Sequence, residues 1–191
     1  SMERAVKAGI DLMEHCEFLV GDGEMRFDPN LAQMMAESGI WLSPTLQAWT
    51  NYPTIVRLRQ LRDLGSATPA DDKELNRLEA RAESRLDVMR KTLDYCLKER
   101  IIPGTDSGPG SLAFGHIDYD LQLLVQCGFT PAEALESATR ISADALGLAD
   151  KIGTIEPGKI ADLAAFDGDP TTDVTAFSRV TAVFQSGVRV V

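Results

Sequence analysis

The chain has 191 residues, 44% of them hydrophobic and 25% charged, which is the composition of a soluble globular protein of one to two domains and excludes disorder and fibre. A fold of this size buries roughly 70% of the surface its unfolded chain exposes, so no disulfide or structural metal is needed to hold it together. With 19 basic and 29 acidic residues the formal net charge is −10, which opposes attraction to phosphate backbones and anionic lipid; no nucleic-acid partner is expected. Cys16, Cys96 and Cys127 lack C-x-x-C spacing and suggest neither a disulfide framework nor a thiolate zinc cage, which fits a reducing cytoplasm. The longest uncharged stretch, 38–56, contains Pro44, Pro53 and many polar residues, too polar for a membrane span. Ser1-Met2 leads straight into a helical pattern without an apolar leader core, and the expectation is that a native upstream signal has been lost or was never present.

In chain order, Glu3 to Ala8 reads as a short helix end stopped by Gly9, and Ile10 to His15 as a short strand. Alternation places Asp11, Met13 and His15 on one face of it, and Leu12, Glu14 and Cys16 on the other. Asp28-Pro29 supplies a cap and a first-turn proline for a helix whose Leu31, Met34 and Met35 recur at helical spacing up to Gly39. Ile40-Trp41-Leu42 is the second strand. Thr68-Pro69 opens a charged helix with Leu75, Leu78, Ala82, Leu86, Met89, Leu93 and Cys96 in a 3–4 rhythm; continuous to Glu99, it would be about 46 Å long. Its charged face reads as solvated pairs, with Glu79 and Glu83 beside Arg81 and Arg85.

Ile101 to Asp106 is a third apolar run, closed by Ser107-Gly108-Pro109-Gly110. A helix is predicted over Ile117 to Cys127, and Thr130-Pro131-Ala132-Glu133 is a capping box for another helix that Gly147 stops. From Lys151 onward, strand-sized runs alternate with the turn signals Pro157-Gly158, Gly168-Asp169-Pro170 and Ser186-Gly187. Residues 1–150 therefore read as parallel α/β units and residues 151–191 as a separate small β element. The first and second strands lie about one (β/α) barrel unit apart and the second and third about two units apart, so roughly 30 residues are inserted after the second strand. In a barrel that insertion lies at the catalytic face, a candidate cover for an active site.

His15 and Asp106 close the first and third strands, where barrel enzymes place metal ligands and general bases. On residue type alone, a satisfied core histidine and a helix-capping aspartate is the plainer reading, because a catalytic zinc takes about three protein ligands plus an open position.

The wider wording changes that balance. Ile10-Asp11-Leu12-Met13-Glu14-His15, Leu42-Ser43-Pro44-Thr45-Leu46, Gly104-Thr105-Asp106-Ser107-Gly108, the run from Gly128 to Leu135, Ala138-Thr139 and the run from Gly153 to Leu163 resemble, in this order, the C-terminal part of the metal-dependent amidohydrolase superfamily. The subgroup most resembled is that of imidazolonepropionases and Xaa-Pro dipeptidase-like enzymes. The resemblance covers nearly the whole chain. It implies an α/β fold: the C-terminal portion of a (β/α)8 TIM-type barrel (1–150) plus part of a small β-sandwich (151–191). It also implies hydrolysis of amide or dipeptide-like carbon–nitrogen bonds at one or two divalent metals, zinc foremost.

By the same resemblance His15 matches the metal-ligand histidine after the sixth barrel strand. Asp106 matches the aspartate after the eighth, which binds metal and takes the proton of the attacking water. The family's H-x-H pair, its bridging lysine or glutamate and its fifth-strand histidine precede the matched region. The chain by itself is therefore expected to be inactive and to associate, or to need the N-terminal half. His116, following Phe114-Gly115, is a candidate substrate contact at the pocket entrance, against the reading of an exposed loop histidine. Trp41 and Trp49 either line a substrate pocket or pack in the core. Cys16 reads as core packing, and Glu14 as an orienting group or a helix contact. Two further readings stay open: a ring or nucleobase deaminase of the same superfamily, and a non-catalytic helical interaction module built on the long charged helix.

Overall fold

The structure is a computed structural model that describes residues 1–21, 24–95, 98–108 and 113–191. Cys96 and the Pro109-Gly110 pair lie outside the described residues. Helix α1 (Met2–Lys7) leads to strand β1 (Leu12–Glu14), helix α2 (Pro29–Ser38) and strand β2 (Trp41–Ser43). β1 and β2 are parallel, with Leu12 opposite Trp41, Met13 opposite Leu42 and Glu14 opposite Ser43. A parallel pair needs a crossover, and α2 supplies it. Asp28 Oδ1 accepts from the amides of Asn30 and Leu31, Pro29 occupies the first turn, and Gly39 ends the helix in the left-handed conformation. Ala32 and Met35 are the fully buried residues of this helix.

The third run joins the sheet more narrowly than its sequence implies. Ile101 makes a single parallel bridge to Leu42, and the Ile102 amide donates to the Leu42 carbonyl at 2.9 Å; the segment from Ile102 to Gly108 is loop. Strand status depends on pairing with a neighbour over successive residues, which an apolar run does not reveal.

Between β2 and that run lie three helices: α3 (Leu46–Thr50), α4 (Tyr52–Asp63) and α5 (Pro69–Leu93). The first two were hidden by Pro44, Pro53 and the polar residues around them, although Pro53 sits harmlessly in the first turn of α4. Helix α5 opens on a reciprocal Thr68–Asp71 capping box and ends at Leu93, short of Glu99 and about 37 Å long. Its Leu75, Leu78, Ala82, Leu86 and Met89 are buried against α3 and α4. That burial corrects the interaction-module expectation: the apolar stripe is spent inside the chain and presents no seam to a partner helix. The expected charge pairing is corrected too, since Glu79 binds Arg59 of α4 at 2.7 Å and Arg85 lies over the Trp49 ring.

Helix α6 (Ile117–Gln126) packs between α3 and α7 (Pro131–Glu136), and α7 begins at the Thr130–Glu133 capping box. A π-turn over Ser137–Ile141 joins α7 to α8 (Ser142–Ala145). Then β3 (Leu163–Phe166), β4 (Val180–Gln185) and β5 (Val188–Arg189) form one antiparallel layer in that order, with Ser186-Gly187, both at positive φ, turning the last hairpin. This layer is not packed apart from the rest. The 3-10 turn Val174–Ser178 leans on α6, and its Phe177 belongs to the main core cluster. Among the described residues, no helix is long and apolar enough to cross a membrane.

Candidate active site

The C-terminal ends of the parallel segments share a backbone feature. His15 (φ 69°), Thr45 (φ 47°) and Asp106 (φ 49°) each follow one of them, and all three are non-glycine residues in the left-handed region. Such a conformation is uncommon outside Gly, Asn and Asp, and for a β-branched residue it is an outlier costing on the order of 1–3 kcal/mol. It persists only where the surroundings fix it. At His15 they do: its amide donates to the Ser43 carbonyl at 2.9 Å, and the Cys16 amide closes back on the Glu14 carbonyl at 2.9 Å, forming a three-residue turn around His15.

That turn corrects the alternation. Leu12 and Glu14 line the cavity at the strand ends, while Met13 is buried on the opposite face. A regular strand would carry His15 to the Met13 side; the positive φ returns it to the cavity side. Glu14, expected on an outward face, is therefore a cavity residue. Cys16 is buried, its Sγ 3.6 Å from the Met13 carbonyl, in keeping with core packing.

The cavity has a volume of about 360 Å³, and its polar wall is Glu14, His15, Ser43, Thr45 and Asp106; Ile102, Pro103 and Leu146 close its apolar side. His15 Nδ1 lies 2.7 Å from Thr45 Oγ1. Thr45 itself is buried, and a Cβ at Gly104 would overlap Ser43 Oγ and come within 3.2 Å of Thr45 Cγ2, so only glycine lets the third segment pass this close to β2. His15 and Asp106 thus face one space, one offering a ring nitrogen and the other a carboxylate. These are the donor types a divalent metal takes, but two are fewer than the three protein ligands of a catalytic zinc. Among the described residues, no cluster of three or more His, Cys, Asp or Glu side chains is placed to hold a metal.

The other candidates lie elsewhere. His116 lines a second cavity of about 470 Å³ between α4, α6 and the Val174–Ser178 turn; its ring stacks on Tyr119 at 4.8 Å, and its Nδ1 is 3.5 Å from Asp118 Oδ1. Trp41 sits at the start of β2, away from the cavity end, under the Arg100 guanidinium at 4.5 Å. Trp49 is buried in the core cluster. None of these three lines the first cavity, and neither α4 nor α5 does, so the inserted helices do not form its cover among the described residues.

Sequence reasoning missed two groups. One is Thr45, whose signal was only its place in Ser43-Pro44-Thr45 after an apolar run. The other is Asp120, which α6 drives into its contact with α3. Asp120 Oδ1 accepts from the Gln47 amide at 3.3 Å, while Asp120 Oδ2 and Gln47 Nε2 are buried with no hydrogen-bond partner among the described residues. Burial lifts the Asp120 carboxyl to about 7, against the opposing pull of the Gln47 and Leu46 amides.

Comparison with known proteins finds relatives of this chain by fold and by sequence. A putative prolidase from Bifidobacterium longum superposes with a TM-score of 0.72 at 28% identity, covering 99% of this chain and 44% of that one. A Xaa-Pro dipeptidase with bound methionine gives a TM-score of 0.68 at 27% identity over 98% of this chain and 41% of that one. The imidazolonepropionase of Deinococcus deserti is 41% identical over 91 residues, 46% of this chain and 23% of the relative. The chain thus spans less than half the length of the solved structures it matches and aligns with about a quarter of that curated relative. The amidohydrolase family profile matches residues 1–190, and the chain belongs to that family.

Proposed function

We propose that this chain is the C-terminal portion of a hydrolase that cleaves carbon–nitrogen bonds in amide or dipeptide-like small molecules. Residues 1–150 are then the last strands and helices of a TIM-type barrel, and residues 151–191 one layer of a small β-sandwich. The observation that carries this reading is the convergence of His15 and Asp106 on one cavity at the ends of parallel segments, in a chain of this family. The N-terminal portion supplies the remaining metal donors and covers the open sheet edges, which otherwise invite association.

One or two divalent cations, zinc foremost, are the cofactor of this reading, held in part by His15 and Asp106. When bound, such a cation supplies Lewis acidity, polarising the scissile carbonyl and acidifying water toward neutrality. The chain's own contribution is proton handling. The exposed Asp106 carboxylate accepts the proton of the attacking water and returns it to the leaving amine, as a positioned general base and acid. His15 offers Nε2 to the cavity, and Glu14 and Ser43 give its wall polar contacts for a hydrated or zwitterionic substrate.

Turnover of a panel of Xaa-Pro dipeptides and of imidazolonepropionate by the full-length protein, with and without chelation and zinc restoration, tests the reading. Zinc-dependent hydrolysis of one of these is the expected result. Activity that survives both chelation and Asp106→Asn would sink it.

A further inference from the structure

We infer that Thr45 is a positioning residue for His15, one that ties up Nδ1 and so presents Nε2 to the cavity. This rests on the reading of His15 as a ligand of the proposed metal. A histidine ligand commits one ring nitrogen, and the partner of the other decides which tautomer is held and how the ring is aimed. Here the Nδ1 to Oγ1 distance is 2.7 Å, and the ring has no other hydrogen-bond partner among the described residues.

The surroundings are built for that contact. Thr45 is buried, at 3% exposure, and its left-handed backbone turns the chain sharply between β2 and α3. The turn is roofed by the third segment at Gly104, where any side chain would collide with Ser43 and crowd the Thr45 methyl. The His15 backbone is held in turn by the Ser43 carbonyl. Both ends of the Thr45–His15 bond are therefore fixed by backbone, so the hydroxyl sets the ring orientation instead of following it. With the cation on Nε2, Nδ1 carries the proton and donates to Thr45 Oγ1.

Zinc competition against a chromogenic chelator and ¹⁵N NMR of the imidazole nitrogens, both on the full-length protein, test this, with the His15 signals identified by their loss in His15→Gln. Thr45→Val keeps the β-branch and removes the hydroxyl; it should lower zinc affinity about 10- to 100-fold, whereas Thr45→Ser should stay within about threefold of the parent. The zinc-loaded parent should hold the His15 proton on Nδ1. A proton on Nε2 overturns the proposal, and that measurement needs no variant, so it decides even where Thr45→Val does not fold. A Thr45→Val protein equal to the parent in affinity and ring state also overturns it. If the ring state follows the Thr45 hydroxyl while zinc affinity does not, the positioning role stands and the metal-ligand reading of His15 falls.

Discussion

The two cavities differ in how the backbone presents their side chains. At the strand ends, His15, Thr45 and Asp106 all stand in left-handed backbone, so the polar groups are aimed by turns that cost energy. Around the second cavity, Asp118, Tyr119 and Gln122 project from the regular helix α6, and His116 rests on Tyr119 as ordinary ring stacking. Left-handed non-glycine backbone also occurs at Cys16, Phe18, Asn51 and Ser186, so what sets the strand-end site apart is that three such turns aim polar side chains into one cavity. A polar pocket alone does not make that distinction.

The sharpest way to break this contrast is Asp106→Asn. Asparagine tolerates the left-handed backbone, so the turn survives. Activity of the full-length protein should fall about 10²- to 10⁴-fold, the usual loss for a general base. Steady-state turnover beside a thermal melt separates this from unfolding; a fall of less than tenfold removes Asp106 from the chemistry.

Next in size is the pH dependence that Asp120 imposes. Its folded-state carboxyl titrates near 7 against an ordinary 3.8, so between those values the folded state holds more protons than the unfolded one. The stability contribution is therefore greatest at low pH, declines as pH rises from 3.8 to about 7, and is flat beyond. Asp120→Asn should flatten this slope and leave the protein more stable at pH 8 by on the order of a few kcal/mol. Urea titrations at several pH values check both statements, and an unchanged slope would place the carboxylate outside the α3–α6 contact.

Gly104→Ala sharpens the comparison from the packing side. Its Cβ would collide with Ser43 and press on Thr45, costing about 1–3 kcal/mol, as overpacking does. The cost should be accompanied by lost activity, which stability and turnover of the same variant reveal together. The smallest effect belongs to His116→Ala: a long contact from a half-exposed imidazole is worth about 0–1 kcal/mol, and turnover should not change. A large loss of turnover on that substitution would extend the working site into the second cavity.

Much of this was legible in local sequence, because capping is local. Asp28-Pro29, Thr68-Pro69 and Thr130-Pro131-Ala132-Glu133 each begin a helix where their side chains meet orphan amides. The strand at Leu12–Glu14 and the place of His15 at its end were legible as well, whereas Asp106 stands in a loop five residues beyond the single bridge at Ile101. The face of His15 was not legible, since alternation assumes a backbone that stays extended, and the turn around His15 is anchored from far along the chain, by the Ser43 carbonyl on its amide and by Thr45 on its ring. Helices α3 and α4 escaped for a related reason. Their apolar residues Leu46, Trp49, Ile55 and Leu58 are buried by neighbours distant in sequence, while the prolines and polar residues beside them read locally as loop. The boundary at 150 was a change of texture, and texture does not report that Phe177 reaches back into the main core.

Phe177 has a bearing on how the chain comes apart. The turns between Gly153 and Lys159 are exposed, with Ile155 at 88%, and offer a protease an easy cut. Cutting there would sever the peptide without freeing the tail, because the Phe177 ring stays in the main core and its turn stays packed on α6. The nicked protein would migrate as two bands under denaturing conditions and as one body under native ones. The tail of this chain is therefore less an appendage than a bung, seated in the core by Phe177.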